Sequence, residues 1–310
     1  MYVGIGALSD VEKTAARCRQ LGVKHVLVHC ASFPGFLENG YPDFAALSAF
    51  ATSLRAEGVE VPAAAYWLGR WSSRPWREGS SNPDVLLIND RRWRHTIQAT
   101  LEALGDAGIP SMLTYLDMGV PLDEDEVEDC WKGLLNVYRD IVPTAESCGV
   151  HIATHSLHRL LSDDVREKSV AEGVTLADYG TYEADGWGGP FLVGTWERLR
   201  RLVEEVPSPY NGITLCTGLD IVGGDVVSLT REFAGKIHFC QLRDHTGRWP
   251  GGREVLPGDG HLDLPAIVQA LREAGYQGMV QPEHLGRPSE DGEDLLAEAV
   301  RRALELLAAE

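Results

Sequence analysis

The sequence contains no C-x-x-C pair. Its six cysteines, at positions 18, 30, 130, 148, 216 and 240, are scattered over 310 residues. That spacing excludes a dense disulfide framework and a finger-type zinc site. An export leader is also missing: the opening MYVGIGALSD has neither a basic start nor an apolar core, so the chain is expected to be cytoplasmic with its thiols reduced. No stretch approaches the ~20 apolar residues of a membrane span. Basic residues are scarce, 28 Lys+Arg against 46 Asp+Glu, and the net charge of −18 disfavours a nucleic-acid partner. The dinucleotide fingerprint stops halfway, at Gly4-Ile5-Gly6-Ala7-Leu8-Ser9. The glycine-rich GGREVLPGDG (251–260) is acidic and departs from the P-loop pattern, so it reads as a structural turn.

What the chain does have is a regular alternation of short β-rich runs and longer helical patterns. The strands are read as Tyr2–Gly6, Lys24–Cys30, Glu60–Trp67, Ser111–Leu116, Val150–His155, Ile213–Cys216, Lys236–Gln241 and Gly278–Glu283. Helices are expected at Asp10–Leu21, Asp43–Glu57, Asp90–Ala107, Glu124–Cys148 with an interruption near Pro143, Thr195–Glu205, Gly224–Phe233, Asp263–Ala274 and Glu290–Ala309. Strict alternation implies a parallel sheet covered by helices. Eight units without a linker-like break predict a single-domain α/β (β/α)8 TIM barrel, with long loops after strands three and five.

Such barrels carry their chemistry at the C-terminal strand ends. The last four strands end VHIATH, GITLC, KIHFCQ and GMVQPE. They offer His155, Cys216, Gln241 and Glu283 at one level, which is a nitrogen, sulfur and oxygen donor set for a divalent cation. Side chains alternate between barrel interior and helix layer. If Gln241 points inward, so does Phe239, while His238 and Cys240 point outward, making His238 a helix-packed residue. His151 shares the inward face of His155, one layer deeper, as a support to the ligands or as a hydrogen-bonded interior residue. Taken residue by residue, each donor has a plain packing role as its alternative.

From Thr96 onward the chain resembles the mannonate dehydratase family of xylose-isomerase-like TIM barrels. The likeness runs through TIQATLEALGDAGIP (96–110), IVPTAESCGVHIATH (141–155), NGITLCTG (211–218), GKIHFCQLR (235–243), LPGDGHLDLPAIVQALREAGYQG (256–278) and QPEH (281–284). The resemblance implies a divalent metal at the barrel mouth, usually Mn2+, with Zn2+ or Fe2+ also compatible with the donors. It places the first two ligands on His155 and Cys216. The third, a histidine in the family, falls on Gln241, and the fourth, an aspartate, on Glu283. His284 follows as the implied acid/base, and Arg243 as a carboxylate clamp or charge balance. Arg243 has an alternative as a structural ion pair with Asp244, Asp259 or Asp263.

The family's aspartate- and proline-rich segment after the first histidine is replaced by Ser156-Leu157-His158, and its run after strand four reads Thr114-Tyr115-Leu116. The substrate implied is a small sugar acid or similar polyhydroxy acid, D-mannonate itself being disfavoured. The loop Gly69–Asn89, with Trp71, Trp76, Arg70, Arg74 and Arg77, and the loop Asp178–Gly189, with Tyr179, Tyr182 and Trp187, read as a pocket lid or as rim packing. Three activities stay open: a metal-dependent lyase, an isomerase or epimerase on the same scaffold, and a binding protein on a decayed enzyme. A homo-oligomer is compatible with the sequence.

Overall fold

Eight parallel strands close into a barrel in the computed structural model, which describes residues 1–66, 91–114, 124–155, 193, 196–218, 224–247, 254–285 and 294–309. The expected loops 69–89 and 178–189, together with Tyr115, Leu116 and the segment 156–158, lie outside the described residues. The strands are β1 (Tyr2–Gly6), β2 (His25–His29), β3 (Glu60–Tyr66), β4 (Ser111–Thr114), β5 (His151–Thr154), β6 (Asn211–Cys216), β7 (Ile237–Leu242) and, last in the barrel, β10 (Met279–Pro282). They run in sequence order around the barrel, and β10 closes on β1 through the pairs Tyr2↔Met279 and Val3↔Val280. Two short strands, β8 (Asp244–His245) and β9 (Glu254–Val255), pair antiparallel beside the mouth.

The helices that cover the barrel are α1 (Val11–Leu21), α3 (Phe44–Ala56), α4 (Arg91–Asp106), α5 (Glu124–Cys148), α6 (Trp196–Glu205), α7 (Val226–Glu232), α8 (Leu264–Glu273) and α9 (Leu295–Ala308), with the single turn α2 (Phe36–Asn39) between β2 and α3. Their starts are written locally. Asp10, Asp43, Asp225, Asp263 and Asp294 each accept a hydrogen bond from a backbone N–H of the first turn. Asp10–Leu21 ends on Gly22 in the left-handed region, φ 70°. The expected interruption at Pro143 is not found: α5 continues through it. A proline removes one backbone donor, and the packing of Tyr138, Ile141, Val142 and Ala145 into the core holds the helix on either side. Among the described residues no helix is long and apolar enough to cross a membrane.

Two apolar layers result. The larger lies between strands and helices, and the smaller fills the barrel with Leu27, Ala63, Ala65, Leu113, Ala153, Phe239 and Met279. Membership of the inner layer fixes strand parity. Phe239 lies inside and Cys240 lies in the helix layer, as alternation predicts.

His238 departs from that pattern. The register between β6 and β7 slips, from Ile213↔Ile237 to Thr214↔Phe239, so His238 is an extra residue in a β-bulge. Parity reverses there, and the ring turns inward rather than toward the helices. It comes to rest against Gly212, where a Cβ would stand 2.4 Å from its ring carbon and 2.2 Å from the Lys236 carbonyl. Glycine at 212 is what leaves room for the ring. His151, inward as expected, stacks on Tyr210 at 4.6 Å and meets His238 at 4.4 Å. Its Nδ1 lies 3.2 Å from the Pro209 carbonyl, and the Ser111 hydroxyl donates to the His238 carbonyl at 3.2 Å.

Burial, then His151 and Lys236, push the His238 pKa down to about 3. The unfolded chain therefore takes up a proton near pH 6.5 that the native ring refuses. This contribution to stability is complete above about pH 6.5 and is lost progressively as the pH falls toward 3. At pH 5 it is expected to cost about 2 kcal/mol. Urea midpoints at pH 7.5 and pH 5 check this: the drop should be smaller in His238→Asn than in the parent, and an equal drop in both proteins excludes this ring as its source.

Candidate metal centre and acid–base site

The C-terminal mouth collects the ends of β5, β6, β7 and β10. His155, one residue past β5, has Nε2 2.6 Å from Oε1 of Gln241 on β7. Oε1 can only accept, so Nε2 carries the hydrogen. Both residues are 1% exposed. Cys216, at the end of β6, is the register partner of Gln241 and is fully buried. Of the four sequence-predicted donors, His155 and Gln241 touch, and Cys216 lies in register beside Gln241 on the neighbouring strand. Glu283 stands further out, with its Oε2 3.9 Å from Nε2 of His284. Among the described residues, no three His, Cys, Asp or Glu side chains form a group able to hold a metal ion.

Arg243 is the charge at the centre of the site. Its guanidinium reaches the Cys216 sulfur, with Nη1 at 3.5 Å, and forms an ion pair with Glu254. Burial pushes the Cys216 thiol pKa up, and the guanidinium pulls against that shift. The arginine backbone is fixed by Thr217, whose hydroxyl accepts from the Arg243 N–H at 2.7 Å and donates to its carbonyl at 2.6 Å. Gly218 lies directly beneath: a Cβ there would meet Nε of Arg243 at 2.7 Å.

None of the three acids named from sequence is the one that pairs with this guanidinium. Asp244 is occupied by backbone N–H groups of His245, Gly258, Gly260 and Leu262, which makes the Pro257–Gly260 stretch a structural turn. Asp259 pairs with Arg302, and Asp263 caps α8.

Glu254 is the residue at this site that sequence reasoning missed. It arrives on β9, paired to His245 of β8, and its two oxygens divide between two partners. One holds Arg243, and the other accepts from Nδ1 of His284 at 2.8 Å. The signal available in the sequence was an acid in a short β-prone run, REV (253–255), just before the PGDG turn. His284 has φ +51°, the one non-glycine residue with positive φ among the described residues. Such strain concentrates where a side chain must be aimed. Burial, reinforced by Arg243 and opposed by Glu283, pushes the His284 pKa down to about 4. The ring is neutral near pH 7, with Nδ1–H given to Glu254 and an Nε2 lone pair available.

The sequence matches the family described as xylose isomerase-like TIM barrel over residues 41–309. The chain belongs to this family. Within it, the chain is 32% identical over 168 residues to mannonate dehydratase 1 of Halalkalibacterium halodurans, a stretch that makes up 51% of this chain and 38% of that protein. It is 34% identical over 103 residues to the mannonate dehydratase of Brachyspira hyodysenteriae, covering 32% of this chain and 29% of that one. The matched part thus spans well under half the length of these curated relatives. Among solved structures, the mannonate dehydratase of Streptococcus suis superposes with a TM-score of 0.71 at 17% identity, covering 99% of this chain and 94% of that one. D-psicose 3-epimerase of Clostridium cellulolyticum superposes with a TM-score of 0.67 at 15% identity, covering 99% and 98%. At such identities the superpositions speak for the fold alone.

Proposed function

We propose that this family member is a metal-dependent lyase that removes water from a sugar acid. The observation that carries the proposal is the meeting of His155 and Gln241, with Cys216 in register beside them, at the barrel mouth. The donor chemistry fits a divalent cation: an imidazole, a thiol and an amide oxygen, all buried. His155, Cys216 and Gln241 would hold the ion, with Glu283 as an outer oxygen donor; the ion would take the place of the hydrogen shared by Nε2 of His155 and Oε1 of Gln241, that proton being released on binding. Mn2+ is the first choice, and Zn2+ and Fe2+ suit the same ligands. Such an ion, when bound, supplies Lewis acidity toward the carboxylate and hydroxyl oxygens of the substrate.

The chain's own residues divide the remaining work. Neutral His284, held by Glu254 through Nδ1, takes the proton from the carbon next to the substrate carboxylate onto Nε2. It returns that proton to the hydroxyl on the next carbon. The C–O bond breaks, water leaves, and the enol that remains tautomerises to a 2-keto-3-deoxy acid. Arg243 acts by charge balance rather than as a free clamp, because Glu254 and Cys216 already occupy its guanidinium.

Incubating the Mn2+-loaded protein with aldonic and uronic acids tests this reaction, with products read by mass spectrometry. The expected product is one water lighter than the substrate. A product of unchanged mass would instead identify an isomerase or epimerase, which breaks the same C–H bond without losing a hydroxyl.

A further inference from the structure

Gln281 has no part in the site as described so far. It lies on β10 as the register partner of Gln241. Met279, two residues earlier on the same strand, belongs to the inner layer of the barrel, as does Phe239 two residues before Gln241. Alternation therefore sends both amide side chains inward, on neighbouring strands ~4.8 Å apart, at the C-terminal end. Both are more than nine-tenths buried, Gln241 at 1% and Gln281 at 8% exposure.

Each leaves one polar atom without a protein partner: Nε2 of Gln241, a donor, and Oε1 of Gln281, an acceptor. Buried polar groups are almost always satisfied, because an unmet one costs free energy. Two such atoms of opposite character, on register-paired residues at the mouth, can be answered together by one bound oxygen that both donates and accepts. A hydroxyl is the group that answers both, since it donates one hydrogen and accepts on its lone pairs. A carboxylate could meet only the donor, and an ammonium group only the acceptor.

We infer that Gln241 and Gln281 form a two-amide subsite that binds a hydroxyl group of a polyhydroxy ligand. This deepens the sugar-acid proposal and rests on it for the identity of the pocket. Gln281 sets specificity for hydroxylated chains by hydrogen bonding, while the Gln241 oxygen is left to the metal site and its nitrogen to the ligand. The subsite discriminates against analogues without hydroxyls, because these leave both amide atoms unmet.

Calorimetric titration with three classes of probe tests the subsite: hexonates epimeric at C2 and C3, the matching hexitols, and hexanoate. The metal-loaded parent is compared with Gln281→Met, which keeps the shape and removes the acceptor. The variant is expected to bind hexonate and hexitol about tenfold more weakly and to leave hexanoate unchanged. Its ligand-free Tm is expected to stay level or rise, since an unsatisfied buried oxygen has been removed. Unchanged hexonate and hexitol affinities would overturn the inference. So would a fall in ligand-free Tm by several degrees, which would show that Gln281 serves the framework. No binding of any hydroxylated probe would also overturn it. The two proposals fail separately: water loss from a hexonate that binds independently of Gln281 retains the lyase and removes the subsite. Gln281-dependent binding without water loss does the reverse.

Discussion

Glu254→Ala is expected to lower the unfolding free energy by about 3 kcal/mol, because it removes a carboxylate that pairs with the buried Arg243 guanidinium. The arginine side chain is 5% exposed and the glutamate 25%, so the cost should fall at the lower end of the range for a broken buried pair. Urea unfolding should show a lower midpoint at an unchanged slope. The double variant Arg243→Met, Glu254→Leu should recover much of the loss, since it removes both charges and keeps apolar volume. If the double variant is no more stable than Glu254→Ala, the ion pair is not the cause. Catalysis should suffer separately. Losing the acceptor at Nδ1 frees the His284 ring, and kcat for water elimination should fall about a hundredfold.

Cys216→Ala separates metal binding from folding. Deleting one fully buried sulfur should cost only about 1 kcal/mol of stability in the metal-free protein. Loss of a directly bound thiolate should weaken metal retention by at least about a hundredfold, since losing a mere supporting contact already costs 10–100-fold. Elemental analysis after dialysis against a weak chelator reads the difference. A variant that keeps one equivalent of metal would remove Cys216 from the ligand set and leave it as a packed core residue.

The barrel was legible because every strand is a short apolar run closed by a turn or cap signal. All eight strands fall within two residues of their expected ends. The inward set of β5 and the upper part of β7 followed from simple alternation. His238 did not, because a bulge is a property of two paired strands, and nothing in KIHFCQ marks which residue is supernumerary. Glu254 escaped because its partner Arg243 lies eleven positions earlier and meets it only through the β8–β9 pairing. Gln281 is legible by the same rule: the alternation that places Gln241 inside β7 places Gln281 inside β10, two residues past Met279.

The bulge at His238 also has an evolutionary consequence. Below it β7 is keyed to β6 through Ile213↔Ile237, and above it through Cys216↔Gln241. Losing the His238 codon would leave Ile237 and Phe239 adjacent, opposite the adjacent Ile213 and Thr214, so the two strands would pair without a break. Gln241 would keep its inward face and Cys240 its outward one. The barrel floor is thus a place where the chain can gain or lose one residue without disturbing the donors at the opposite end.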